Sequence, residues 1–306
     1  MLKLGFVFPG QGAQYVGMGA DLADTYPEAR AKFEEANDIL GYDLASICFK
    51  GLSEELSRTE VTQPAILTAS MVVLEVLKNL GISPVIAAGL SLGEYSALVA
   101  AQSVAFEDAV RLLAIRGRLM QEAVAEGEGA MLAVSGLANE QVVRVCEQYG
   151  IEPANFNCPG QVVVAGYTEA VEAASSGFID AGGRVTRLAV SVPSHCRLMR
   201  PAAEKLAPHI EKLTIKSPAF PVINNVSAQV GDLNQIKSLL IAQLYSPVRW
   251  EESLRLMMGE VDYVVEVGPG SVLAGLARRV DRKKVLGSVG NKESLEQLLK
   301  KVNDLC

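Results

Sequence analysis

Apolar positions fall into two alternating patterns along this chain. Short, nearly unbroken runs such as Leu4 to Phe8 have the length of buried strands. Longer segments place apolar residues three and four positions apart, the spacing of a helix that covers a core. Those segments are Asp21 to Leu40, Thr68 to Leu80, Leu92 to Ala101 and Phe106 to Ala125. A short strand, Val85 to Ala88, stands between the second and third. The strand–helix alternation predicts a parallel sheet covered by helices on both faces.

The order changes after Glu126-Gly127-Glu128-Gly129. A strand (Ala130 to Ser135), a helix (Glu140 to Tyr149), two strands (Glu152 to Phe156, Gln161 to Ala165), a helix (Glu169 to Ala181) and a strand (Arg184 to Val190) follow. This βαββαβ order predicts a ferredoxin-like unit. The expected division is a large α/β domain of residues 1–126 and 191–306, interrupted by a small domain of residues 127–190, with a cleft between them. The remaining chain reads as a helix (Pro201 to Leu213), a strand (Pro221 to Asn224), a helix (Asn234 to Gln243), a strand (Tyr263 to Val267) and two more helices.

Composition narrows the function. With 49% hydrophobic and 21% charged residues among 306, a packed core is readily built. The net charge of −7 argues against nucleic acid as a partner, since phosphates require a basic surface. No apolar run approaches a membrane span, and the N-terminal apolar stretch reads as a first strand rather than a targeting segment. Five irregularly spaced cysteines without a C-x-x-C pair predict neither disulfides nor a metal site, and a reducing cytoplasm.

The sharpest chemical signal is Gly89-Leu90-Ser91-Leu92-Gly93, a G-x-S-x-G turn between an expected strand and an expected helix. Small residues flank such a nucleophile elbow because strand and helix approach closely there. Ser91 is the candidate nucleophile and needs a base. The chain has two histidines. His209 lies on an amphipathic helix among charges, whereas His195, in Ser191-Val192-Pro193-Ser194-His195-Cys196, follows an apolar strand and is the expected base. No acid sits where a hydrolase triad would carry one, so a Ser–His dyad oriented by neutral groups is expected. Gly10-Gln11-Gly12 fails as a dinucleotide fingerprint, because Tyr15 stands where the third glycine belongs. A glycine-flanked turn at a strand end can instead present backbone N–H groups to an oxyanion, as can Leu92 after the nucleophile. Gly268-Pro269-Gly270 reads as a tight turn bordering the site.

Arg116 falls at the centre of an apolar helix face with Ala109, Leu112, Leu119, Met120 and Ala123, while Arg111 and Arg118 point away. A guanidinium there must snorkel, pair with a protein carboxylate, or meet an anionic ligand in a cleft.

Together these segments resemble the stand-alone malonyl-CoA:acyl carrier protein transacylase family of bacterial-type fatty acid synthesis. The likeness runs through FVFPGQGAQ, TEVTQPAILTAS, GLSLGEYSALVAA, RGRLMQEA, NFNCPGQVVVAG, SVPSHCRLM, INNV, QLYSPVRW and VEVGPGSVLAGL. Leu90 stands where many members carry histidine. The resemblance implies an α/β-hydrolase-like large domain with a ferredoxin-like insert. It implies that Ser91 becomes acylated, that His195 is its base, and that Arg116 grips the malonyl carboxylate. It matches Gln11 and Leu92 to the oxyanion donors and Gln243 to a neutral residue near the histidine. Gln63, Asn155 and Asn157 map near the site. Malonyl-CoA and an acyl carrier protein are the implied partners of a monomer that needs no cofactor or metal, with a serine esterase, a thioesterase or a polyketide-pathway acyltransferase as the rivals. Both partners are negative and must meet a local basic surface. That surface is either Arg184, Arg187, Arg197 and Arg200 or Arg278, Arg279, Arg282, Lys283 and Lys284, unless both clusters are merely solvated faces.

Overall fold

The computed structural model describes residues 2–189 and 192–305. The expected strand end at Val190, the domain boundary after it, Ser191 and Cys306 lie outside them. Among the described residues the strands are β1 (Leu4–Phe8), β2 (Ile86–Gly89), β3 (Gly129–Ser135), β4 (Glu152–Cys158), β5 (Gln161–Tyr167), β6 (Arg184–Arg187), β7 (Val222–Ile223), β8 (Tyr263–Val267) and β9 (Val285–Val289).

Five of them form one parallel sheet in the order β7-β2-β1-β8-β9. β1 lies at its centre and is buried along its whole length, as its apolar run anticipates. Phe8 aligns with Gly89, and Val7 with Glu266 on the other side. The carboxyl ends of β1, β2 and β8 therefore share an edge, and the Gly10–Gly12, Leu90–Leu92 and Gly268–Gly270 turns all open there, as expected of a ligand crevice in an α/β sheet. β9 went unrecognised in the sequence, as did the helices Leu44–Lys50, Ser53–Leu56 and Trp250–Glu260.

The long helix expected from Asp21 is two helices, Ala20–Thr25 and Pro27–Leu40. Tyr26, preceding proline, is extended (φ −119°, ψ 118°) and breaks the run, while Pro27 opens the next helix, where it forfeits no internal bond. The helix expected from Thr68 begins nine residues earlier, at Thr59, and reaches Asn79. It is long and apolar enough to cross a membrane, but it is buried within the fold along nearly its whole length. Its first turns escaped notice because Thr59, Thr62 and Gln63 are polar, Pro64 interrupts them, and all four are nevertheless buried.

The second sheet is antiparallel, ordered β4-β5-β3-β6. Its strands alternate faces. Ala130, Leu132, Val134, Val162 and Val164 pack on the helices Asn139–Tyr149 and Thr168–Asp180. On the opposite face Met131, Ala154, Val163 and Ala165 pack against Cys196, the neighbour of His195. This sheet thus backs the loop that carries the candidate base.

Candidate active site

Ser91 sits in the turn between β2 and the helix Gly93–Ala100. A Cβ on Gly89 would lie 1.8 Å from the Gly93 carbonyl oxygen, and one on Gly93 would lie 2.2 Å from that of Phe8, so only glycine fits either position. Between them Ser91 adopts a left-handed backbone, φ 56°, at a cost of about 1–2 kcal/mol for a residue with a Cβ. One side chain holds this turn from both sides. Asn225 accepts from the Ser91 N–H through Oδ1 at 2.7 Å and donates through Nδ2 to the Gly89 carbonyl at 2.7 Å.

His195 is also left-handed, φ 62°. Its N–H donates to the Leu244 carbonyl at 3.1 Å, and its Nδ1 lies 2.8 Å from the Gln243 carbonyl oxygen. A carbonyl can only accept, so Nδ1 carries the hydrogen. Nε2 then offers its lone pair to the Ser91 hydroxyl at 2.8 Å. Burial, reinforced by the Arg116 charge and opposed by the bond to Gln243, pushes the His195 pKa down to about 4. The imidazole is therefore a neutral acceptor near neutral pH. His209 is exposed on the helix Arg200–Glu211 and makes no hydrogen bond to Ser91 or Arg116 among the described residues.

Arg116 is 1% exposed. Its Nη1 donates to Gln63 Oε1 at 2.8 Å, and its Nη2 donates to Gln243 Oε1 at 3.0 Å and to Ser91 Oγ at 3.1 Å. Nε has no partner among the described residues. The guanidinium stands 5.7 Å from the centre of the Tyr95 ring. It does not snorkel, and among the described residues no carboxylate lies within ion-pair distance of it.

Gln63 and Gln243 thus join the site directly. The backbone N–H groups of Gln11 and Leu92 have no acceptor among the described residues, and the Gln11 side chain donates to Thr59 Oγ1 at 3.4 Å. Asn155 and Asn157 lie on β4 and make no hydrogen bond to Ser91, His195 or Arg116 among the described residues. Their strand is tied to the segment after Gln243 instead, with Val248 and Ala154 or Phe156 exchanging bonds of 2.9 Å. Among the described residues, no three His, Cys, Asp or Glu side chains cluster as metal ligands.

Two residues of this network escaped sequence reasoning. Asn225 lies in INNV, well away from the elbow in sequence. Glu94, three residues after Ser91, is 3% exposed, and its Oε2 accepts from Gln243 Nε2 at 2.7 Å and from the Asn225 N–H at 3.0 Å. Burial pushes its pKa up to about 7, against the opposing pull of those two bonds and of Arg116. A charged residue inside a helix of otherwise apolar and small side chains was the available signal.

Residues 5–297 match the family model described as an acyl transferase domain. The chain is 49% identical to malonyl CoA-acyl carrier protein transacylase of Escherichia coli strain K12 over 92% of this chain and 93% of that protein. It is 46% identical to the protein of the same name from Bacillus subtilis strain 168 over 99% of each. Among solved structures it is similar to a malonyl-transacylase in complex with its type II PKS acyl-carrier protein, with a TM-score of 0.95, 46% identity, and 98% and 99% of the two chains covered.

Proposed function

The chain belongs to the acyl transferase domain family, and from that premise we propose that it transfers the malonyl group of malonyl-CoA to the phosphopantetheine thiol of an acyl carrier protein. One observation carries this reading beyond acyl transfer in general. A buried guanidinium with no carboxylate partner among the described residues donates to the oxygen of Ser91, the proposed nucleophile. A dicarboxylic acyl group brings to that spot the anion the guanidinium lacks, and its planar fork matches a carboxylate.

In the reaction, malonyl-CoA enters with its free carboxylate on Arg116. His195 Nε2 takes the Ser91 proton as Oγ attacks the thioester carbonyl. The oxyanion is held by the N–H groups of Gln11 and Leu92, each worth about 10²–10³ in rate. CoA leaves as a thiol, receiving the proton from His195, and malonyl-Ser91 remains. The carrier's pantetheine thiol then gives its proton to His195 and attacks the ester; the bond to Ser91 Oγ breaks, His195 returns the proton to that oxygen, and the cycle is a ping-pong transfer. No step calls for a metal or a redox cofactor. Gln63 and Gln243 hold the guanidinium, and Asn155 and Asn157 support the site through the segment after Gln243.

The finer architecture belongs to the same reading: residues 1–126 and 191–306 as an α/β-hydrolase-like body and residues 127–190 as a ferredoxin-like insert. The order β4-β5-β3-β6, with helices on one face, supports the second description. A cytoplasmic monomer fits the family. For carrier docking, Arg187 and Arg197 are already paired with Glu172 and Glu152, whereas the exposed Arg278, Arg279, Arg282 and Lys283 form no ion pair among the described residues. The latter cluster is the stronger attraction for an acidic partner. The neighbour bound to a polyketide carrier supports a second use in that pathway.

The test is transfer of labelled malonyl from malonyl-CoA to purified holo carrier protein, with free malonate measured in parallel. Carrier labelling well above malonate release is expected. Malonate as the main product, with or without carrier, would make the protein a thioesterase instead.

A further inference from the structure

Nothing in the reaction above uses Glu94, yet its carboxyl is buried at the centre of the network. One oxygen, Oε2, takes hydrogen bonds from Gln243 Nε2 and from the Asn225 N–H. Those two residues between them touch everything that reacts. Gln243 accepts from His195 Nδ1 with its backbone oxygen and from Arg116 with Oε1, and it donates from Nε2 to the Ser91 carbonyl at 3.0 Å. Asn225 holds the Ser91 N–H and the Gly89 carbonyl.

The geometry points to Glu94 as the positioning residue of this site: its buried acceptor oxygen sets which way the Gln243 amide faces, and so whether Arg116 is held ready for a substrate carboxylate. An amide has a donor end and an acceptor end. With Glu94 as acceptor, Nε2 must face Glu94 and Oε1 must face Arg116. With the amide turned over, Nε2 would face the guanidinium donor to donor, and Oε1 would face the Ser91 carbonyl oxygen. Without Glu94 that turn is opposed only by Arg116, which the substrate carboxylate then engages, and by the single bond from Nε2 to the Ser91 carbonyl. A carboxyl is present after all, acting on the substrate arginine and the elbow through two amides rather than on the histidine.

This inference rests on malonyl-Ser91 being the intermediate, and its test separates the two. Acylation of Ser91 by malonyl-CoA and by acetyl-CoA is followed by rapid quench and intact-protein mass spectrometry in the wild type and in Glu94→Ala, Glu94→Gln and Glu94→Asp. Glutamine can present an oxygen at the Oε2 position, whereas aspartate withdraws it by one methylene. Glu94→Ala is expected to lower the malonyl-to-acetyl ratio about tenfold or more, the worth of a hydrogen bond to a buried charge. Glu94→Gln should recover most of that ratio, and Glu94→Asp should not. Should the alanine variant fail to fold, the glutamine and aspartate variants carry the comparison. An unchanged ratio in folded Glu94→Ala, or Glu94→Asp equal to or above Glu94→Gln, would overturn the positioning role. A wild type that forms no malonyl adduct at Ser91 would overturn the transferase reading, and this inference with it.

Discussion

Arg116 Nη2 donates a hydrogen bond to Ser91 Oγ across 3.1 Å, while the same oxygen faces His195 Nε2 at 2.8 Å. The hydroxyl accepts from a cation and donates to an imidazole at once. In the proposed reaction that oxygen is oriented toward its base before any substrate arrives. The cation that orients it is also the one a malonyl carboxylate would claim, so binding and activation are linked through a single guanidinium.

Replacing Arg116 with alanine should therefore separate malonyl from simpler acyl groups. We expect kcat/KM for malonyl-CoA to fall about 10²-fold or more, as when one partner of a buried charge pair is removed. Acetyl-CoA should lose far less, because no acyl carboxylate goes unmatched. Steady-state transfer with both donors measures the ratio, and an unchanged preference would remove Arg116 from substrate selection.

His195 should remain neutral over the whole physiological range. Its pKa lies near 4 because burial and Arg116 disfavour the imidazolium, so protonation is expected only as pH falls through that value. With only two histidines in the chain, ¹⁵N-labelled histidine gives two assignable rings. The His195 signals should report the Nδ1–H tautomer from pH 5 to 8. A titration with a midpoint near the usual histidine value would contradict the buried, carbonyl-anchored geometry.

Glu266 offers a stability test outside the chemistry. It lies on β8, fully buried, with Oε2 accepting from the Ala274 N–H at 2.8 Å and Oε1 without a partner among the described residues. Burial raises its pKa from 4.5 to about 7, partly offset by backbone bonds at the start of the helix Val272–Asp281. Between those two pH values the folded state holds a proton that the unfolded chain has lost. Stability attributable to this group is thus greatest below the window, and it declines as pH rises through it, by about 3 kcal/mol. In Glu266→Gln that decline is absent. Melting curves should show the variant gaining several degrees on the wild type between pH 5 and pH 8. Glu94 titrates over the same interval in both proteins and cancels in the comparison.

Asn225→Ala should damage fold and chemistry together. It strips the partners from the Ser91 N–H and the Gly89 carbonyl inside a buried, left-handed turn. At about 1–3 kcal/mol for each orphaned group, the melting temperature should fall clearly. Ser91 acylation per folded molecule should slow as well, because the elbow relaxes. Acylation unchanged in a folded variant would show that the strand and helix alone hold the serine.

What could be read beforehand depended on whether the signal was local. The elbow is a five-residue pattern, and the steric demand at Gly89 and Gly93 is met within it and the neighbouring β1. Arg116 was conspicuous because helical phase places it on an apolar face, and its burial follows from that phase. The β-α-β-β-α-β order after Gly129 was legible because short apolar runs there are separated by amphipathic helical segments. Less local features stayed hidden. β9 reads VLGSV, too short and too plain to separate from a loop. Gln63 was placed near the site by the family resemblance alone, since nothing in its own spacing foretold its burial against Arg116. Glu94 and Asn225 acquire their meaning only from each other and from Gln243, far apart along the chain, and no periodicity encodes such a meeting.

The order in which the chain is made acquires significance from this layout. Ser91, Arg116 and His195 are all synthesised before Gln243 and Leu244, whose carbonyls fix the histidine. The central strand β1 is made first of all, yet one of its two flanking strands, β8, is among the last. A growing polypeptide therefore carries the three proposed site residues before the segment that anchors His195. Distant pairing of this kind slows folding. A chain interrupted before Gln243 would hold Ser91, Arg116 and His195 without the two carbonyls that fix the histidine.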